Sequence, residues 1–219
     1  MYIILLGPPG SGKGTQASFL EKRLNIKQLS TGELFRAILK EKNHPLYSKL
    51  QIINEGKLVP DTVVNQVVED GLKRGEYKNG ALLDGYPRTI SQAEALDEIL
   101  RAMDKKVDIV IDLDVSYEVL CIRLLGRMIC PSCKSIYHEE DGIEICPDCD
   151  VGLIRRDDDT KEVIAKRFKE YNEKTAPLRG YYNREGVKYI TIEIDDPKIQ
   201  AQEVQDWIIE KLGDCIEVI

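Results

Sequence analysis

The sequence contains no apolar run approaching the ~20 residues that a membrane-spanning helix requires, so no membrane partner is expected. It does not open on a basic leader either. Met1-Tyr2-Ile3-Ile4-Leu5-Leu6-Gly7-Pro8 is too short an apolar stretch for the core of a signal peptide, and a cytoplasmic protein is expected. Basic charge is not in excess. Lys and Arg total 31 against 38 Asp and Glu, a formal charge of −7, which weighs against a nucleic-acid partner. Histidine occurs only at His44, read as a surface residue before Pro45, and at His138; neither has a catalytic spacing. Internal repeats, low-complexity tracts and an Asn-Lys-x-Asp guanine motif are absent as well, and the last absence disfavours a GTP-dependent switch.

What is present is an ordinary globular composition, 42% apolar and 32% charged over 219 residues, enough for one α/β core with small insertions. Apolar runs at Tyr2–Leu6, Ala81–Leu83, Ile109–Leu113 and Tyr189–Ile194, with a short one near Gln28–Leu29, read as doubly buried parallel strands. Helical patterns cover Lys13–Leu24, a stretch from Ser30, Thr62–Arg74, Ser91–Met103, Tyr117–Leu125, Glu162–Tyr182 and Gln200–Leu212. Ser30 and Glu33 have capping-box spacing. Strands alternating with helices predict an α/β fold: a parallel sheet of about five strands covered by helices on both faces. Two segments break the rhythm. The organisation expected is core at 1–29, 60–125 and 160–219, with insertions at 30–59 and 126–159.

Gly7-Pro8-Pro9-Gly10-Ser11-Gly12-Lys13-Gly14-Thr15 follows a strand and precedes a helix, the context of a phosphate-binding loop. Glycines let the backbone curl so that its N–H groups face phosphate oxygens, and the helix N-terminus adds positive charge. Gly10, Ser11, Gly12, Gly14 and Thr15 are therefore candidates for holding a nucleotide, and Lys13 for reaching its outer phosphates. Gly14 stands where most such loops carry the Ser or Thr that binds Mg²⁺; Thr15 is one place late. A Mg²⁺ ion held mainly by phosphates and water, with Asp84 behind the water, is the expectation. Leu82-Leu83-Asp84-Gly85-Tyr86-Pro87-Arg88 is an apolar strand ending in an acid, a tight turn and an arginine. In α/β sheets, ligands bind at the carboxyl ends of strands.

Cys130-Pro131-Ser132-Cys133 and Cys146-Pro147-Asp148-Cys149 are separated by twelve residues. Two such knuckles predict a tetrahedral Cys₄ site for Zn²⁺, closed and therefore structural. Between Cys130 and Cys149, Lys134 faces five acids, Glu139, Glu140, Asp141, Glu144 and Asp148, which speaks against a nucleic-acid-binding zinc ribbon. Cys121 and Cys215 are expected to be buried packing residues.

Taken in order and spacing, the glycine loop, Ser30-Thr31-Gly32-Glu33-Leu34-Phe35-Arg36 and Asp84-Gly85-Tyr86-Pro87-Arg88 resemble the nucleoside monophosphate kinases, and within them the adenylate kinases with a long zinc-binding lid. The resemblance implies transfer of a phosphoryl group from ATP to AMP, giving two ADP, with Mg²⁺. It implies AMP contacts from Thr31, Arg36, the Lys57-Leu58-Val59 backbone and the Gly85-Tyr86-Pro87-Arg88 turn, with Gln92 reading the adenine edge. Arg127, Ile136 and Tyr137 would lie along ATP, and the backbone near Asp195 would touch its base. Arg123, Arg156 and Arg167 would surround the transferring group, Arg156 and Arg167 reaching AMP as well. A cis Tyr86–Pro87 bond, a 126–159 lid, a 30–59 AMP-binding insertion and a monomer are also implied. Another nucleoside monophosphate as acceptor remains the alternative; Thr31 and Gln92 point to AMP.

Overall fold

The fold comes from a computed structural model, which describes residues 1–51, 59–77 and 80–213. Lys57, Leu58 and Cys215 lie outside the described residues. The sheet has five parallel strands: β1 (Tyr2–Leu6), β2 (Lys27–Ser30), β3 (Ala81–Asp84), β4 (Ile109–Val115) and, last in sequence, β7 (Lys188–Ile194). Their order is β2-β3-β1-β4-β7. The α/β expectation holds, and the apolar runs mark the strands. Along β1 the side chains alternate between two cores: Tyr2, Ile4 and Leu6 enter one, Ile3 and Leu5 the other. Both faces of the strand are thus buried, which is why it reads as unbroken hydrophobics rather than as alternation.

One face is covered by α1 (Lys13–Leu24), α6 (Tyr117–Leu125) and α9 (Ala201–Leu212), through Ala17, Leu20, Leu24, Val119, Leu120, Val204, Ile208 and Leu212. The other is covered by α2 (Thr31–Lys40), α4 (Asp61–Leu72), α5 (Ile90–Ala102) and α8 (Leu178–Tyr182). The short α3 (Tyr47–Leu50) also places Leu50 there. The side chains of Thr89 and Ser116 accept from the third residue onward, Gln92 N and Val119 N, and so set the starts of α5 and α6.

Five local readings need correction. Ser30 is the N-cap of α2 but its side chain accepts no capping bond; the residue is still strand, in register opposite Asp84, and the helix starts directly off it. The Glu162–Tyr182 pattern is two helices, α7 (Lys161–Lys174) and α8, because Pro177 cannot continue the first. Residues 126–159 hold a hairpin, β5 (Arg127–Ile129) antiparallel to β6 (Ile136–His138), that the helical and strand periodicities did not reveal. Cys121, expected to be buried, is half-exposed on α6. His44 is half-buried, its Nδ1 accepting from Leu46 N at 3.2 Å.

Candidate active site and metal centre

The carboxyl ends of β1, β3 and β4 bring the chemistry together. β1 runs into the glycine loop, where Gly7, Gly10 and Gly12 adopt φ of 143°, 87° and 94°, values that disfavour any side chain. A Cβ on Gly10 would also strike Leu124 at 2.7 Å. Lys13 folds back into the loop, its Nζ donating to Gly7 O at 2.6 Å and Pro8 O at 2.9 Å. Burial pushes its ammonium pKa down to about 8; Asp84 opposes the shift, Arg88 adds to it, and Asp112 opposes it. Ser11 is buried, whereas Gly14 and Thr15 are exposed at the start of α1. Asp84 ends β3 opposite Leu5 of β1 and accepts from Gln28 Nε2 at 3.0 Å.

The Tyr86–Pro87 bond is cis, as expected. Beyond it, Arg88 Nε donates to Gly85 O at 2.8 Å and Arg88 N to Gln92 Oε1 at 2.7 Å. Arg88 is exposed at its surface, yet loss of hydration around its guanidinium lowers its pKa; Asp84 pulls it back and Arg167 pushes it down further. Thr31 is buried, with its hydroxyl 3.5 Å from Gly85 O. Arg36 is exposed one turn along α2, and Val59 is half-buried against the core. Gln92 is buried and held at both ends, its Nε2 donating to Asp61 Oδ1 at 2.7 Å. Asp61 also accepts from Thr89 at 2.7 Å. The sequence reading passed over Asp61; its only local sign was an acid opening a helix after Pro60.

The arginines fall into two groups. Arg123 Nη2 donates to Ile199 O at 3.2 Å, and burial lowers its pKa. Arg127 meets Asp159 side-on, Nε–Oδ2 at 2.8 Å and Nη2–Oδ1 at 2.5 Å, with side chains only 13% and 4% exposed. Arg167 pairs with Asp158 at 2.5 Å. The acids of Asp157-Asp158-Asp159 thus orient arginines at two of their three positions. Arg156 is exposed and forms no ion pair among the described residues; partial loss of hydration and then Arg127 lower its pKa. Asp195 follows β7, exposed, at the same end of the sheet as the glycine loop.

The four cysteine Sγ atoms lie within 4.8 Å of one another, and Cys133 and Cys146 are 3.7 Å apart. Zn–S bonds of ~2.3 Å in a tetrahedron require S···S separations of ~3.8 Å, so the cluster fits zinc. The two knuckles repeat one geometry. Lys134 N donates to Cys130 O at 3.0 Å and Asp150 N to Cys146 O at 2.9 Å, and Lys134 and Asp150 both take positive φ, 66° and 53°. The thiols titrate apart. Ser135, 3.1 Å away, holds Cys133 down at about 6. Ser132 pulls Cys149 down, but its thiol neighbours and burial hold it at about 11. Tyr137 places its hydroxyl 3.4 Å from Cys146 Sγ, while its neighbour Ile136 is 55% exposed.

The segment's roots grip the end of α6. His138 Nε2 lies 3.2 Å from Ile122 O, Arg155 Nη1 donates to Leu125 O at 2.5 Å, and Glu139 N to Gly126 O at 2.7 Å. Gly126 has an ordinary φ of −87°. A Cβ there would lie 2.1 Å from His138 Nε2, so glycine lets the imidazole rest against this turn and a side chain would have to displace it.

A parallel sheet whose first strand feeds a lysine-bearing glycine loop, and whose neighbouring strand ends in an acid and an arginine turn, defines a P-loop phosphotransferase. The adenylate kinase family model matches residues 5–187. Adenylate kinases of Thermotoga neapolitana and Thermotoga maritima are each 41% identical to the chain over 216 residues, covering 94% of it and 97% of their own length. The Clostridium botulinum adenylate kinase is 44% identical over 191 residues, 85% of this chain and 88% of its own. The chain belongs to the adenylate kinase family, and its activity is that of an ATP:AMP phosphotransferase.

Proposed function

We propose that ATP lies with its phosphates in the Gly7–Thr15 loop and AMP against Thr31, Arg36, the Lys57-Leu58-Val59 backbone, Gly85, Arg88 and Gln92, and that the phosphoryl group passes directly between them. The observation that carries this reading is the convergence of Lys13, Asp84, Arg88 and Arg167, each of which enters the electrostatics of another. Cations gathered in a cleft with no internal anion for each are suited to a ligand that brings its own charge. Arginine grips phosphate bidentately and stays protonated. Positioning and electrostatic stabilisation then supply most of the catalysis.

Lys13 leaves the loop carbonyls for the outer phosphates of ATP. Arg127 and Arg167 exchange Asp159 and Asp158 for phosphate oxygens, and Arg123 and Arg156 complete the ring. Mg²⁺ neutralises charge on the ATP phosphates when bound, with Asp84 as the group that holds its water shell. Gln92 is already pinned by Asp61 and Arg88 N, so it offers the adenine edge a preset amide with one N–H to spare.

Residues 126–159 serve as a lid over ATP, with Arg127 at one root and Arg156 at the other, and 30–59 as the AMP-binding insertion on a core of 1–29, 60–125 and 160–219. Zn²⁺ in the Cys130, Cys133, Cys146, Cys149 cluster holds the lid's fold and takes no part in transfer. The enzyme acts as a cytoplasmic monomer on ATP, AMP and ADP. The direct test mixes the protein with ATP, Mg²⁺ and each nucleoside monophosphate in turn. ADP formation with AMP alone supports the reading, and a labelled phosphoprotein on the path would exclude direct transfer.

A further inference from the structure

Thr175 closes α7, the helix that carries Arg167, two residues before Pro177. Its Oγ1 donates to the carbonyl of Arg88 at 3.0 Å, across 87 residues of sequence. Arg88 itself also donates from Nε to Gly85 O and from N to Gln92 Oε1, and the turn before it meets Thr31 and Asn65. Among the described residues, the Thr175 bond is the one that ties that turn to the helix bearing Arg167. Such a tie has work to do, because Arg88 and Arg167 carry like charge and each disfavours the other.

The elbow that presents Thr175 is itself clamped. Arg179, the second residue of α8, reaches the end of β4, where Nη2 donates to Asp114 Oδ1 at 2.8 Å and to Asp112 Oδ1 at 3.4 Å, and Nη1 to Asp114 Oδ2 at 3.3 Å. Its Nε is 2.8 Å from Asp112 Oδ2, but that N–H is not aimed well enough to bond. Asp112 is 1% exposed and also accepts from the Tyr189 hydroxyl at 2.9 Å. A buried carboxylate shared between an arginine and a tyrosine makes a rigid anchor, since losing the arginine would leave the charge unpaired and losing the tyrosine would leave a buried oxygen short of a donor. The sheet therefore fixes Arg179, Arg179 fixes the elbow, and the elbow fixes Thr175.

We propose that Thr175 is a positioning residue for phosphoryl transfer, holding Arg88 in register with Arg167 from an elbow that Arg179 locks to Asp112 and Asp114. The proposal rests on the reading of Arg88 as the grip on the AMP phosphate. Thr175→Val removes the donor at constant shape, and Thr175→Ser keeps it. Loss of one neutral hydrogen bond predicts a fall of about fivefold in kcat/KM for AMP in the valine variant. The serine variant should stay within about twofold of wild type, as should KM for ATP in both variants. Wild-type kinetics in Thr175→Val would overturn the proposal. So would equal losses in Thr175→Ser, or a general loss that lowers Tm and affects ATP and AMP alike. Should the valine variant fail to fold, Thr175→Ala takes its place with the same criteria. A wild-type protein that makes no ADP from AMP would sink the acceptor-site reading instead. Amide exchange of the Arg88–Gln92 turn would then decide on the bond: faster in Thr175→Val than in Thr175→Ser if Thr175 holds the turn, unchanged if it does not.

Discussion

Isoleucine has opposite fates in two parts of this molecule. In the sheet, Ile3, Ile4, Ile109, Ile111 and Ile192 are almost wholly buried. In the cysteine segment Ile129 is buried near the root, but Ile136, Ile145 and Ile154 are each more than half exposed, and Val151 is 37% exposed. The same side chain therefore stabilises one region and contributes little to the other. The sheet is held by burial on two faces. The segment proposed as a lid, ~34 residues, is too small to bury a core, which leaves its cysteine cluster and the hydrogen bonds at its roots to hold it. Stability and turnover should accordingly respond to different residues, and four measurements press on that division.

The largest effect expected is on rate. Replacing Lys13, Arg88, Arg123, Arg156 or Arg167 by Ala should lower kcat on the order of 10²- to 10³-fold while Tm moves little. Arg36→Ala should act on KM for AMP instead. A coupled ADP assay beside a thermal melt separates the two, and near-wild-type turnover in Arg123→Ala would remove that residue from the site.

Chelation, or Cys130→Ser, should do the reverse. Loss of ~2–3 kcal/mol corresponds to roughly 5–10 °C in Tm for a chain of this size, with initial rates at moderate temperature largely kept. Abolished turnover in a lid that calorimetry finds still folded would make the metal catalytic and erase the division.

At the join between the regions, Gly126→Ala must displace His138 from Ile122 O. About 1 kcal/mol, or ~2–4 °C, is expected. In a double-mutant cycle with His138→Ala the two losses should fall short of additive, because both remove one contact; full additivity would mean that the glycine serves something else.

The last expectation concerns pH. The Lys13 pKa of about 8 is depressed in the free protein and must rise when anionic phosphates replace the loop carbonyls. Below pH 8 the lysine is already charged. Above it, ATP binding must take up a proton, so affinity should fall as pH rises toward 10, by at most tenfold per unit. Calorimetry in two buffers of different ionisation enthalpy checks it, and the absence of proton uptake at pH 9 would show that Lys13 is charged throughout.

These regions also differ in how far the sequence disclosed them. The glycine loop and the cysteine knuckles are local patterns, readable because the chemistry needs residues a few places apart. Tyr2–Leu6 was legible because two buried faces leave no polar position, and Ile109–Leu113 because its one acid, Asp112, interrupts an otherwise apolar run. What escaped reading was non-local. Nothing near Asp61 announces that it will hold Gln92 across 31 residues, and nothing near Arg179 points to Asp112 and Asp114. The β5–β6 hairpin escaped for another reason: three-residue strands, largely unburied, leave no period to detect. Pro177 was visible, yet its break was missed because α7 and α8 continue a similar charge-and-apolar pattern on either side.

The order of the strands has a consequence for the reaction itself. The loop proposed for the donor rises from β1, and the turn proposed for the acceptor rises from β3, its immediate hydrogen-bonded neighbour, with Leu5 opposite Asp84. Adjacent strands stand ~4.8 Å apart, a spacing set by the peptide hydrogen bond and independent of side chains. The gap a phosphoryl group must cross is thus measured out by the backbone. Substitutions can change how firmly each nucleotide is held, but the ruler against which the two are aligned is the sheet.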